Sequence, residues 1–193
     1  MKNLVDNEKE ELVCLTETWL TKHEPKFKNY KCEWKHRPDR SGGGLGILIK
    51  NNLRYKIINL IPFHNGVLEA QAIDLHLEDG TKLSVFNYYN PNKDVTLIEF
   101  QHYLKQLQQQ HIMVGDMNAH TPILKSNDHS NTTGRNLELL LSKEDICLLN
   151  PINLYTCTDR RTGNKSCLDI CLASSCIIEL CSLGVMDDVG SDH

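Results

Sequence analysis

Several side chains able to handle protons, phosphate or a metal ion stand at the ends of apolar runs: Glu17, Tyr89, Asp116, Asn118, Asp169, Asp192 and His193. Strand ends are where layered α/β folds commonly assemble their sites. Each of these residues alone has an ordinary explanation. Glu17 can be a surface charge, Tyr89-Asn90-Pro91 a turn, and Gly115-Asp116-Met117-Asn118 a turn whose Asp and Asn bond their own backbone. Asp169 can be a strand charge, and Ser191-Asp192-His193 a frayed tail. Together, carboxylates, an amide, a phenol and an imidazole are groups that can carry protons, hold a metal ion or contact an anion.

The elements that position these groups follow from hydrophobic patterning. Leu12–Leu15 reads as a buried strand delivering Glu17. Lys22–Arg40 is polar and irregular with a basic tilt, Ser41–Gly44 is a glycine turn, and Leu45–Ile49 is an apolar strand. Arg54–Ile61, Val67–Leu77 and Thr81–Tyr89 read as further strands, the last entered through the Asp79-Gly80 turn. Asp94–Gln110 has helical spacing with Asp94 as its cap, and Ile112–Val114 is a short strand running into Gly115-Asp116. Pro122–Thr133 is a polar loop, Thr133–Glu144 a second helix, and Cys167–Leu172 and Ile177–Val185 are late strands. Many strands with few helices favour a mixed α/β sandwich.

The 193 residues carry a net charge of −4, with 40% hydrophobic and 24% charged residues. That is an ordinary globular balance, at a length that suits one domain. Mild acidity argues against a generic polyanion binder but leaves room for a local basic strip. The eight cysteines contain no Cys-x-x-Cys pair, so free thiols packed as small hydrophobes are expected, mostly buried. Cys167 and Cys171, four apart, are expected to face one side of a strand. Met1–Glu11 does not resemble a signal peptide and no apolar run reaches membrane-spanning length. An intracellular protein without membrane contact is the expectation.

The order of the motifs adds what no single motif carries. Leu15–Leu20 (LTETWL), Gly42–Gly44, Tyr89-Asn90-Pro91, Gly115–His120 (GDMNAH), Ser166–Leu172 (SCLDICL) and Ser191-Asp192-His193 resemble the endonuclease/exonuclease/phosphatase superfamily, and within it the nuclease domain of jockey-like non-LTR retrotransposons. The resemblance runs from about Leu12 to His193 and implies a single such domain over the chain. It implies a DNase I-like four-layer sandwich of two mixed β-sheets flanked by helices, with the site in a cleft at one end of the sheets. It implies Mg²⁺, with Mn²⁺ as the alternative, bound by Glu17 with a contribution from Asp192. Asp116 would position and deprotonate water, and Asn118 would donate its amide to phosphate from an extended segment. Tyr89 would be a phenolic donor, and His193 would stabilise the transition state, oriented by Asp169 within hydrogen-bond reach. The Thr158–Lys165 hairpin, with Arg160, Arg161 and Lys165, matches a DNA-contacting element, balanced against a solvated hairpin tip. Lys26–Arg40 is a weaker candidate for phosphate contact, and His120 is left to turn stabilisation.

By the same resemblance the partner is DNA, the parent is an element encoding a reverse transcriptase polyprotein, and the active parent works in the nucleus. Members carry a strand with a metal-supporting asparagine before Thr-Glu-Thr-Trp, and another strand after Ser-Asp-His. Neither Asn3 nor Asn7 lies on an apolar strand, so a terminal strand is expected to be lacking at each end, with slowed catalysis. A catalytically impaired remnant of such an element is the alternative. A superfamily phosphatase acting on a small molecule or lipid headgroup is the third reading.

Overall fold

The computed structural model describes residues 10–21, 23–37, 42–124, 129–159 and 161–185. Six strands form its centre: β4 (Tyr55–Ile58), β5 (Glu69–His76), β6 (Lys82–Tyr89), β7 (His111–Asp116), β8 (Ile146–Leu148) and β11 (Asp169–Ser174). They make one mixed sheet in the order β4-β5-β6-β7-β11-β8. β6 and β7 pair in parallel and every other neighbour pairs antiparallel. A smaller sheet faces it, built from β1 (Leu12–Leu15), β2 (Tyr30–Lys35) and β3 (Leu45–Lys50). It is antiparallel, in the order β1-β3-β2. β9 (Cys157–Thr158) and β10 (Lys165–Ser166) form a separate hairpin.

Alternation sorts the side chains into layers. Ala70, Ala72, Phe86, Tyr88, Met113, Ile170 and Leu172 point to the outer side of the large sheet. There they pack with Phe100 and Tyr103 of helix α1 (Leu97–Leu104) and with Leu137 and Leu140 of α2 (Thr132–Lys143). Ile73, Leu75 and Val85 point the other way and meet Ile47 and Ile49 of β3. β3 is apolar on both faces because Leu48 turns outward, under Phe27 and Tyr30. The result is an α/β sandwich whose described helices flank the large sheet.

Asn87 crosses the interface between the sheets. It is fully buried and donates Nδ2–H to Leu15 O at 3.0 Å and Gly46 O at 3.1 Å, tying β6 to the end of β1 just before Glu17. Gly115 permits a second close approach. A Cβ there would overlap the Tyr88 carbonyl oxygen, and its φ of +151° suits glycine.

Several boundaries differ from the sequence expectation. The first helix starts at Leu97 with Thr96 as its cap, accepting from Glu99 N at 3.2 Å, so Asp94 is not the cap. β2 lies inside the segment that reads as irregular. Tyr30, Cys32 and Trp34 do alternate with Lys31, Glu33 and Lys35, and two of the charged set also find polar partners within the protein. Lys35 Nζ donates to Ala70 O, and Tyr55 Oη donates to Glu33. β8 is not among the strands expected from the sequence. The strand expected over Ile177–Val185 is a 3₁₀ segment at Ser175–Leu180 followed by irregular chain. Ser175 turns back there, its N–H on Asp145 O and its hydroxyl on the Asp145 carboxylate.

The thiols also differ. All eight are free, but only Cys167 is buried, and Cys176 is exposed. Cys167 precedes β11 and joins the helix-side core, whereas Cys171, alternating with Ile170 and Leu172, faces the opposite side. The two do not share a face as expected.

Candidate active site

One end of the large sheet gathers the acidic and phenolic groups through strand register. Glu69 pairs with Tyr89, Tyr89 with Asp116, and Asp116 with Asp169, so four polar residues form a row across β5, β6, β7 and β11. Glu17 reaches the same end from β1 of the facing sheet, close enough to influence the Tyr89 phenol. Burial is the main influence holding the Tyr89 phenol well above its usual range. The bond to Glu17 and the charges of Glu17 and Asp116 add to it, while Arg37 opposes. Tyr89 is therefore a protonated donor throughout the neutral range.

Asp116 is 4% exposed and is gripped by its own loop: Asn118 N donates to Oδ1 at 2.9 Å, and Asn118 Nδ2 to Oδ2 at 3.2 Å. The same Nδ2 donates to Asn90 O at 2.8 Å, so both amide hydrogens are engaged within the protein. Asn118 is also left-handed, at φ +49°, rather than extended as expected. Its geometry is that of a brace for Asp116. Asn90, fully buried, holds the adjoining loops through Met117 O, Lys93 O and Lys93 N. Asp169 opens β11 with its backbone N–H on Thr156 Oγ1 at 3.0 Å. His193 and Asp192 lie outside the described residues, as does the expected Asp169–His193 pairing.

The opposite wall depends on residues that the sequence motifs do not assign to the site. Glu69 accepts from Gly44 N at 2.7 Å and from Arg37, whose guanidinium lies 5.7 Å from the Tyr89 ring centroid. The glycine triplet makes this possible. A Cβ on Gly43 would overlap the Arg37 guanidinium, one on Gly44 would lie 2.7 Å from Thr18 Oγ1, and one on Gly42 would touch the Trp19 ring at 3.6 Å. Thr18 N and Trp19 N donate to Gly44 O and Gly43 O, binding the Glu17 segment to the turn. The Gly-Gly-Gly run is the available signal; its partners are not visible in it.

Arg161 and Lys165 fall on the β9–β10 hairpin as expected, with Lys165 Nζ 5.9 Å from the Tyr155 ring centroid; Arg160 lies outside the described residues. The hairpin tip is fixed by Asp159, whose carboxyl is lowered by the N–H groups of Thr162 and Arg161. His120 sits where α2 meets the Asp116 loop, its backbone N–H and C=O both bonded to Asn131.

Among the described residues no three His, Cys, Asp or Glu side chains converge as a metal cage. The donors at this end are carboxylate and amide oxygens. That set fits a hard ion such as Mg²⁺, which keeps most of its water and takes one or two protein carboxylates. Glu17, which accepts the Trp19 indole N–H at 3.1 Å, is an exposed carboxylate on the open side of the site. No helix among the described residues is long and apolar enough to cross a membrane.

Comparison with known proteins adds independent findings. A family model described as endonuclease-reverse transcriptase matches residues 83–193, more than half of the chain. No curated protein matches the sequence. Among solved structures, the endonuclease domain of TRAS1, a telomere-specific non-LTR retrotransposon, superimposes with a TM-score of 0.68 at 15% identity, over 89% of this chain and 76% of that one. ANGEL2, a 2′,3′-cyclic phosphatase in complex with adenosine-2′,3′-vanadate, gives 0.54 at 12% identity, over 90% and 73%. Truncated Caenorhabditis elegans TDP2 gives 0.54 at 12%, over 90% and 75%. At these identities the structural likenesses establish the shared fold.

Proposed function

The chain belongs to the endonuclease-reverse transcriptase family, and from that premise we propose that it is a Mg²⁺-dependent phosphodiester hydrolase that nicks DNA. The observation that carries this reading is the row Tyr89, Asp116, Asp169 on adjacent strands, with Glu17 of the facing sheet beside Tyr89.

Asp116 is the general base. Its carboxylate is buried and fixed by Asn118, so it can orient a water toward phosphorus and take its proton without reorganising. Asn118 acts through Asp116. Tyr89 remains protonated and can donate its hydroxyl to a phosphate oxygen. Glu17 would hold Mg²⁺, with Asp192 as the second carboxylate. When bound, the ion neutralises phosphate charge and favours departure of the leaving oxygen. Asp169 would orient His193, whose protonated ring would donate to a non-bridging oxygen. Arg161 and Lys165 supply backbone contacts on DNA, with Arg160 beside them. The family description and the TRAS1 likeness support DNA as substrate and a reverse transcriptase in the parent polyprotein, and with them a nuclear site of action.

Nicking measured against Mg²⁺ concentration tests the assignment of Glu17. Glu17→Gln keeps the shape and loses the charge, so half-maximal activity should require several-fold more Mg²⁺. A Glu17→Gln protein with an unchanged Mg²⁺ requirement would remove Glu17 from the metal site.

A further inference from the structure

Trp19 is 64% exposed and stands beside the candidate metal carboxylate. Its backbone is left-handed at φ +54°, two residues after Glu17 at φ +49°. Non-glycine residues adopt that conformation only at a conformational cost. Within a chain, such strain is ordinarily offset by burial, and a buried tryptophan would return more than that. Here the ring stays in solvent. It is nonetheless fixed: its backbone N–H is bound to Gly43 O, its indole N–H to Glu17 Oε2, and its six-membered ring lies against Gly42. Holding Glu17 would need only a small donor, so the bond does not account for a large, rigid, open aromatic surface.

We propose that Trp19 is a stacking platform for a nucleobase of the DNA strand being cut, at the nucleotide flanking the scissile phosphate on the Glu17 side. The inference rests on the reading of this site as a DNA nuclease. A preorganised ring loses little entropy on binding, and every base offers it a π face. The bond to Glu17 adds register: the ring and the phosphate-side carboxylate are joined, so a base stacked on Trp19 fixes how far its phosphate lies from Glu17. Stacking of this kind is sequence-tolerant. Trp19 thus sets the position of the strand, with little selection among bases.

The chain contains two tryptophans, and Trp34 packs with Phe27 and Tyr30 on the outer face of the small sheet. In a Trp34→Phe background, fluorescence therefore reports Trp19 alone. Titration with a short duplex carrying a single-stranded tail, in EDTA to prevent cleavage, should quench it saturably. In the natural background, Trp19→Ala should weaken binding of that DNA, followed by anisotropy, about 10–100-fold, while Trp19→Phe should stay within a few-fold of the parent. The pair separates stacking from a merely structural role. Phenylalanine keeps a stacking face but has no N–H, so a Trp19 that serves only to hold Glu17 fails equally in both variants. That result overturns the proposal. So does tight DNA binding without quenching and without loss in Trp19→Ala, the outcome expected if Trp19 seats a protein segment; the nuclease reading survives it. Absence of any DNA binding by the parent protein overturns both.

Discussion

Asn87→Ala tests how the two sheets deliver Glu17 to the row on β6, β7 and β11. The alanine loses the Nδ2–H groups that reach Leu15 O and Gly46 O across the interface. Leaving a buried and a partly buried acceptor without those donors costs about 1–3 kcal/mol each, or about 2–6 kcal/mol together. One term opposes this. Among the described residues Asn87 Oδ1 is buried without a hydrogen-bond partner, and deleting it relieves about 1–3 kcal/mol of the same kind of penalty. The loss exceeds the relief, so Asn87→Ala should destabilise the protein by about 1–3 kcal/mol. With a urea m-value of ~1–3 kcal/mol/M, the midpoint should fall by about 1 M at unchanged m. Asn87→Asp should be worse, because a carboxylate cannot donate and would face two carbonyl oxygens. A midpoint shift below ~0.2 M for Asn87→Ala, or an aspartate variant more stable than the alanine one, would refute the assignment of Asn87 as the strut between the sheets.

Gly115→Ala drives a methyl group into Tyr88 O on the neighbouring strand. Overpacking and the unfavourable φ together should cost about 2–5 kcal/mol, read as a lowered urea midpoint. Gly43→Ala meets Arg37 instead, a flexible side chain. It should lower stability by only about 1–2 kcal/mol, yet displace Arg37 from Glu69 and Tyr89, so that nicking falls more than stability does. Burial raises the Cys14 thiol from 9.0 to about 12, and Cys167 and Cys171 to about 11. These groups hold their protons longer in the folded state, so their contribution to stability is complete below about pH 9 and is lost as pH rises toward about 11 to 12. Urea midpoints measured across the alkaline range from about pH 8 to about pH 11 should fall steadily. In the native protein a thiol reagent should label exposed Cys176 first and reach buried Cys167 only on unfolding.

How much of this is legible in the sequence follows from the range of each signal. Leu12–Leu15, Leu45–Ile49 and Thr81–Tyr89 announce themselves by local apolar patterning, and Tyr89 and Asp116 stand out because each ends such a run. That Glu69, Tyr89, Asp116 and Asp169 are neighbours is not legible, because register is a property of partner strands far apart in sequence. Asn118 reads as extended toward phosphate, but its left-handed φ and its bonds to Asp116 and Asn90 appear only once the loop is closed. Arg37 looks like one cation in a basic stretch. Its role depends on Glu69, which lies 32 residues away, and on a glycine whose missing Cβ leaves room for it. Ile177–Val185 reads as a strand because a short apolar run carries no information about a turn begun by Ser175 on Asp145.

The claim that Asp116 is the base of a Mg²⁺-dependent DNA nuclease is tested most directly by nicking of supercoiled plasmid with purified wild-type protein and Asp116→Ala, each with Mg²⁺ and with EDTA. The wild type should convert supercoiled to open-circular DNA only with Mg²⁺, and Asp116→Ala should slow the conversion by at least ~10²-fold, the usual contribution of a positioned general base. Nicking that persists at the wild-type rate in Asp116→Ala, or that is indifferent to EDTA, would contradict the account.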